Sequence, residues 1–388
     1  MDTYIKTGKQ QELIDKLDRL LPAFREREVL LDKKGAFPFE NVEDLKKMDY
    51  LRLTLPTESG GAGLGLYEFI LAQEKIASGC GSTALSVGWT VGTVLEFVES
   101  KTWRQPAANY LMDAIAMGGF VNTVASERNA GSPTRGALPT TRYYEEDGKW
   151  FITGEKTFST AAPALTHAIV TATSAGDKLI KIIIPMKAQG VSLIDTWDSL
   201  AMRGTASQTI KFDHVEVSPD LIIDEGVAFQ SSAKGWLLHI PACYLGIAQA
   251  ARNYAFDFAT TYIPSSLGRP IAEAASIQSI LSEMEMHYAT ARQMLYQTVE
   301  SYEAATDKNT MQQALDLTKV FVSQQAIQIV DLAMKVVGAR ALGEANPMHR
   351  YFMNIRASLY NPPMADVVQS KLVQKTIHEF YDKNSKNR

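Results

Sequence analysis

The chain has 388 residues, 46% of them hydrophobic and 21% charged. That is enough apolar material for a large core and excludes disorder as the main state. With 39 Lys and Arg against 43 Asp and Glu, the net charge is −4, which excludes a general nucleic-acid binder or a basic membrane-surface protein.

At roughly 150 residues per domain, two or three domains are expected, and three zones differ in pattern. The first, 1–115, reads as helical. Leu13, Leu17, Leu20 and Leu21 recur at three- and four-residue steps, as an amphipathic helix requires. Pro22 is expected to bend or end it. Further helices are expected over 41–48, 66–79 and 83–99. Between them, LPTESGGAGLGLYEF (55–69) breaks the periodicity with four glycines. The second zone, 116–222, changes to short β-branched and aromatic runs separated by turn signals. Strands are expected over 140–145, 150–153, 168–173, 179–185, 191–194 and 209–217, the first two joined as a hairpin at Asp147–Gly148. So many short strands suggest a small barrel or sandwich. The third zone, 223–388, is helical again. Ile277, Ile280, Leu281, Met284, Tyr288, Ala291, Leu295 and Thr298 form one stripe. The stretch 314–337 is apolar on more than one face, which places it at the centre of a bundle or at a subunit interface. The fold class is therefore α+β multidomain: a helical domain, a small β domain and a helical bundle.

The two cysteines, Cys80 and Cys243, are far apart and make neither a disulfide framework nor a metal cluster. The stretch MDTYIKTGKQQEL has no apolar signal core. The most apolar run, 237–251, carries His239 and Pro241 and is too short to cross a bilayer. A cytoplasmic location is expected. The six histidines show no ligand spacing, so no metal site is expected. Neither a GxGxxG after a strand, nor a GxxxxGK[ST], nor a Gly-x-Ser-x-Gly elbow occurs. What remains is a run of small and hydroxyl residues around the β zone. ASERNAGSPTRG (125–136) carries Ser126, Gly131 and Ser132, and GKWFITGEKTFSTAA (148–162) carries Phe158, Ser159 and Thr160. By composition alone these read as loops.

Five segments, in order, resemble the acyl-CoA dehydrogenase family of flavoproteins. They are LPTESGGAGLGLYEF, ASERNAGS, GKWFITGEKTFSTAAPA, MRGTASQTIKFDHVEV (202–217) and LGRPIAEAASIQSILSEM (267–284). The similarity covers about the whole length. It implies the same helical–β–helical order, an N-terminal helical domain at 1–115, a middle β domain at 116–222 and a four-helix bundle at 223–388. It also implies FAD, with FMN possible, and an acyl thioester or other small-molecule substrate in fatty acid metabolism. A homotetramer and an electron-transfer flavoprotein or flavin reductase as redox partner are implied too; nucleic acid and membrane are not. By position, Thr123, Ala125 and Ser126 would meet the isoalloxazine ring. Gly131 and Ser132 would let the loop approach the pyrophosphate. Phe158 would lie against the ring, and Thr160 would bond its edge.

The catalytic positions depart from the family. Its enzymes remove an α-proton with a Glu while hydride leaves the β-carbon for flavin N5. That Glu, in a Tyr-Glu-Gly turn, is here Asn361 in RASLYNPPMAD (356–366), and an amide cannot accept the proton. The alternative family position, on an earlier helix, maps to about Trp236. Asp366 lies five residues beyond Asn361. Pro362 and Pro363 replace the flexible Gly. The substrate-end Arg falls at about Leu237, and the Arg-x-x-Phe offered to a neighbouring FAD falls at Pro264 and Leu267, with Arg269 nearby. FAD-dependent α,β-dehydrogenation of an acyl thioester is the activity the resemblance implies. A reduced-flavin-dependent monooxygenase of the same fold, and a non-catalytic flavin or acyl-binding protein, stand beside it.

Overall fold

A computed structural model describes residues 2–32, 36–100, 102–128, 130, 137–225 and 233–386. The protein divides into two compact units, Met1–Ser232 and Ala233–Arg388.

The first unit begins with six helices: α1 (Gly8–Asp18), α2 (Leu21–Glu28), α3 (Phe39–Lys47), α4 (Leu66–Ala77), α5 (Gly81–Ser100) and α6 (Gln105–Ala116). A capping box starts α1. Thr7 Oγ1 accepts the Gln10 N–H, and Gln10 Oε1 accepts the Thr7 N–H, each at 3.2 Å. The leucine stripe does not run through as one helix. α1 stops at Asp18, and Pro22 sits in the first turn of α2. There its missing N–H leaves no bond unmade, so it starts a helix instead of ending one. α6 is not among the elements expected from sequence. It opens with Pro106 and buries Ala107, Ala108, Leu111, Ala114 and Ile115 at helical spacing.

The strands are β1 (Val121–Val124), β2 (Arg142–Glu146), β3 (Lys149–Lys156), β4 (His167–Thr173), β5 (Leu179–Pro185), β6 (Val191–Ile194), β7 (Thr209–Glu216) and β8 (Ile222–Glu225). They form one sheet in the order β6-β7-β3-β2-β4-β5-β8, with β1 added parallel to β4. Six are the strands expected from sequence. β1 and β8 are not among them: they read VNTV and IIDE, short stretches broken by polar or acidic residues that do not stand out as strands. The β2–β3 hairpin turns through Asp147 (φ 52°) and Gly148 (φ 77°), both left-handed, as a two-residue loop between twisted strands requires. Val94, Leu111, Ile115, Val121, Ile169 and Ile183 share one buried cluster. This cluster seats α5 and α6 on β1, β4 and β5 and makes helices and sheet a single unit.

The second unit holds α7 (His239–Thr261), α8 (Ala275–Ala304), α9 (Gln312–Val337), α10 (Met348–Arg356) and α11 (Ala365–Lys386). α9 packs against α7, α8 and α10. By length and composition it could cross a membrane, but most of its apolar surface is spent inside this bundle. Its core face includes Leu315, Val322, Ile329 and Val330. The same face buries Thr318, Lys319 and Ser323, whereas Leu317, Phe321 and Ile327 are only half-buried. The helix centre is thus more polar than the sequence suggests.

Candidate functional site at the open edge of the first strand

The site is built outward from β1. Phe120 C=O accepts the Thr166 N–H on the β4 side. Val121 turns the other way: its C=O accepts from Thr90 Oγ1 at 2.7 Å, and its N–H donates to the same hydroxyl at 3.1 Å. Backbone direction alternates along a strand. The N–H and C=O of Thr123 therefore face the edge that Thr90 occupies at Val121, beyond the reach of β4, and Ala125 follows just past the end of the strand. Ser126 is exposed, and its C=O accepts the Thr157 N–H at 2.8 Å. This bond joins the loop after β1 to the end of β3.

A buried ion pair fixes that junction. Lys156 Nζ donates to Glu127 Oε1 at 2.6 Å, with side chains 0% and 3% exposed. Lys156 also reaches Thr171 Oγ1 at 3.1 Å. Glu127 takes the backbone N–H and the hydroxyl of both Thr140 and Thr141. Burial pushes the Glu127 carboxyl up, but the Lys156 ammonium and the two hydroxyls outweigh it and hold the group well below the usual range. Burial pulls the Lys156 ammonium down. Gly154, at φ 152°, lets β3 pass Thr141 closely; a Cβ there would come within 2.5 Å of Thr141 Oγ1.

After Lys156 the backbone turns sharply. Phe158 (φ 53°) and Ala161 (φ 63°) are left-handed, as are Met202 (φ 52°) and Ala206 (φ 41°) in the MRGTA turn beside them. These are four of the eight non-glycine positive-φ residues among the described residues. Strain gathered in one place marks a site worth testing. The two turns are tied by Ala161 N–H to Thr205 C=O at 2.8 Å and Ser159 N–H to Gln208 C=O at 3.1 Å. Hydroxyls form a relay from Thr160 through Ser207 (3.1 Å) to Thr205 (2.8 Å). Asn122 Nδ2 donates to Thr160 C=O at 3.1 Å. Phe158 is displayed, 70% exposed. Two buried atoms here, Asn122 Oδ1 and Thr157 Oγ1, have no hydrogen-bond partner among the described residues.

Of the residues expected to hold a ligand, Thr123, Ala125, Ser126, Phe158 and Thr160 come together on this edge. Gly131 and Ser132 lie outside the described residues. The sequence does not single out Glu127 and Lys156. Each reads as an ordinary surface charge, and only the fold shows that they meet.

The second unit carries the two positions compared with the family's catalytic Glu. Tyr244 on α7 is fully buried, and its hydroxyl donates to Asn361 Oδ1. The preceding residue, Tyr360, is 77% exposed. The other end of this turn is held by buried Lys319, whose Nζ donates to Ser358 C=O at 3.0 Å. Trp236 is buried, and its ring stacks on His239 with centroids 5.8 Å apart and planes at 11°. Burial pulls the His239 imidazole down to about 3, so it is neutral across the physiological range. Asp366 is exposed in the first turn of α11. Among the described residues, no group of His, Cys, Asp and Glu could hold a metal ion.

The acyl-CoA dehydrogenase N-terminal domain matches residues 9–111, its middle domain residues 122–215 and its C-terminal domain residues 238–360. A Bacillus subtilis protein, YdbM, whose name assigns it provisionally to the acyl-CoA dehydrogenases, is 36% identical over 96% of this chain and 98% of its own. L-evernosamine nitrososynthase from a Micromonospora strain is 25% identical over 93% of this chain and 88% of its own. The solved structure of KijD3 in complex with FMN and a dTDP-linked amino sugar superposes with a TM-score of 0.84, at 21% identity, over 96% of this chain and 94% of that one. By its three domain matches and its near full-length relative, the chain belongs to the acyl-CoA dehydrogenase family.

Proposed function

We propose that the protein is a flavin-dependent oxidoreductase that binds FAD or FMN at the open edge of β1. The single observation that carries this is the edge itself: backbone groups of Thr123 directed away from β4, beside two buried polar atoms that find no partner among the described residues. An isoalloxazine presents both donors and acceptors along one rim, and such an edge suits it. When bound, the flavin supplies two-electron redox chemistry. The protein's own residues do the rest. Thr123 and Ala125 offer backbone bonds, Ser126 and Thr160 offer hydroxyls, and Phe158 offers a ring face. The Glu127–Lys156 pair keeps the two loops in register. Gly131 and Ser132 would meet the pyrophosphate. KijD3 was solved with FMN, which supports FMN beside FAD.

For the reaction, we favour reduced-flavin-dependent oxygenation of a small molecule. One oxygen atom goes to the substrate and the other leaves as water. Asn361 supports this choice. Its amide accepts a bond from Tyr244 and cannot take an α-proton. Trp236 is no base either, and Asp366 stands exposed on α11. A positioned base contributes about 10²–10⁴-fold to proton abstraction, so its loss would cripple dehydrogenation but not oxygen transfer. The nitrososynthase relative is consistent with the same direction. The second reading, α,β-dehydrogenation of an acyl thioester, is favoured by the name of the 36% identical relative. A homotetramer and a separate flavin reductase complete the proposal.

The test uses purified protein with its flavin. Oxygen uptake and substrate oxygenation with added reduced flavin support the first reading. Bleaching by an acyl-CoA without oxygen supports the second and overturns the first.

A further inference from the structure

Trp197 and Gln208 are not among the residues that the family resemblance assigns. Trp197 lies between β6 and β7 and is half-buried. Its ring meets Phe158 edge-on, with centroids 6.1 Å apart and planes at 87°. Its indole N–H is spent on Arg203 C=O at 3.0 Å. Its orientation is set from the residue that leads into β7. Gln208 Oε1 accepts the backbone N–H of Thr196 at 2.7 Å and of Trp197 at 2.8 Å. Gln208 Nε2 donates to Asp195 Oδ1 at 3.1 Å. The backbone carbonyl of Gln208 accepts the Ser159 N–H at 3.1 Å, one residue after Phe158. One buried residue, 8% exposed, thus fastens the backbone at Trp197 and the backbone next to Phe158 through its two ends.

A bulky residue at positive φ is strained, and an edge-to-face ring contact offsets that strain only in part. Phe158 nevertheless keeps 70% of its surface in solvent. A ring held in strain and displayed, with a second ring braced at a right angle to it, makes a corner suited to a large planar ligand.

We propose that Trp197 is a second aromatic wall of the flavin site, forming with Phe158 a corner against the isoalloxazine, and that Gln208 is the positioning residue that sets this corner. The proposal rests on the flavin reading above. It adds a contact and a positioning role that the reading does not require.

The experiment is a titration of the flavin-depleted full-length protein with FMN and with FAD. It follows protein fluorescence and the visible circular dichroism of the flavin. Wild-type tryptophan emission should be quenched on binding. Trp197→Leu should remove a distinct share of that quenching, alter the flavin dichroism and weaken binding about five- to tenfold. Trp197→Phe, which keeps a ring, should restore most of the affinity. Gln208→Leu should weaken binding similarly with Trp197 still present, and its quenching should fall because the indole is no longer held in place. If Gln208→Leu does not fold, the two Trp197 variants decide alone. A wild-type protein that binds neither flavin overturns the flavin reading together with this one. Flavin binding with unchanged affinity, quenching and dichroism in a folded Trp197→Leu protein overturns this one only.

Discussion

Glu127 and Lys156 meet at 2.6 Å with almost no exposed surface on either side chain, and each comes from a different side of the candidate site. Glu127 belongs to the loop after β1, Lys156 to the end of β3. Glu127 has further partners in Thr140 and Thr141, and Lys156 in Thr171. Removing one member leaves a buried charge uncompensated, which costs about 3–5 kcal/mol. Lys156→Met should therefore lower unfolding stability by that order and release flavin more readily. The double variant Glu127→Leu with Lys156→Met should recover part of the stability and none of the flavin affinity. Denaturant melts of the three proteins check the first statement, and flavin titrations the second.

Tyr244 and Asn361 should show an asymmetry. Tyr244 is fully buried, whereas Asn361 is half-buried. Asn361→Leu strands a buried hydroxyl and should cost about 1–3 kcal/mol. Tyr244→Phe leaves behind an amide oxygen that water can reach, and should cost about 1 kcal/mol or less. Equal losses in urea melts would contradict the burial assignment.

His239 predicts an acid limb. Its folded value is about 3 because burial disfavours the imidazolium, against about 6.5 for the unfolded state. Below pH 6.5 the unfolded state binds the extra proton and the folded state does not. Stability should therefore fall with decreasing pH by up to about 1.4 kcal/mol per unit until the folded value is reached. His239→Leu should flatten the difference between pH 6.5 and 4.5. An unchanged slope would place the ring in contact with water.

Lys319 predicts the opposite limb. Burial pulls its ammonium down to about 8 from the ordinary 10.5. Between those values the unfolded state holds a proton that the folded state has lost, so this group raises stability as pH increases from 8. Lys319→Met should remove that rise. The difference between wild type and variant across pH 8–9.5 isolates it from the tyrosines.

Element order and most strands are legible from residues. Leu179–Pro185 and Val191–Ile194 appear with the expected bounds, because β-branched runs between turn residues have few alternatives. Pro22 is ambiguous in a linear string because a proline starts a helix as readily as it ends one, and only the chain's change of course at Leu20 decides: its N–H turns back to Leu17 C=O at 2.8 Å while its C=O takes the Phe24 N–H at 3.1 Å. β1 has four residues, and its pairing sets Val121 beside His167, far off in sequence, which no local pattern reveals. The candidate site is legible residue by residue through family resemblance, at Thr123, Ser126, Phe158 and Thr160. What holds those residues is not. Lys156 and Gln208 look like surface polar residues in a linear string and become buried only when β3, β7 and the loop after β1 close on one another.

The central claim is that a flavin sits on the open edge of β1. The most direct measurement is the absorption spectrum of the freshly purified protein, followed by titration with FAD and FMN. Bands near those of oxidised flavin, or saturable uptake of either nucleotide that Thr160→Val with Ser126→Ala weakens, are the expected result. A colourless protein that takes up neither nucleotide contradicts the claim.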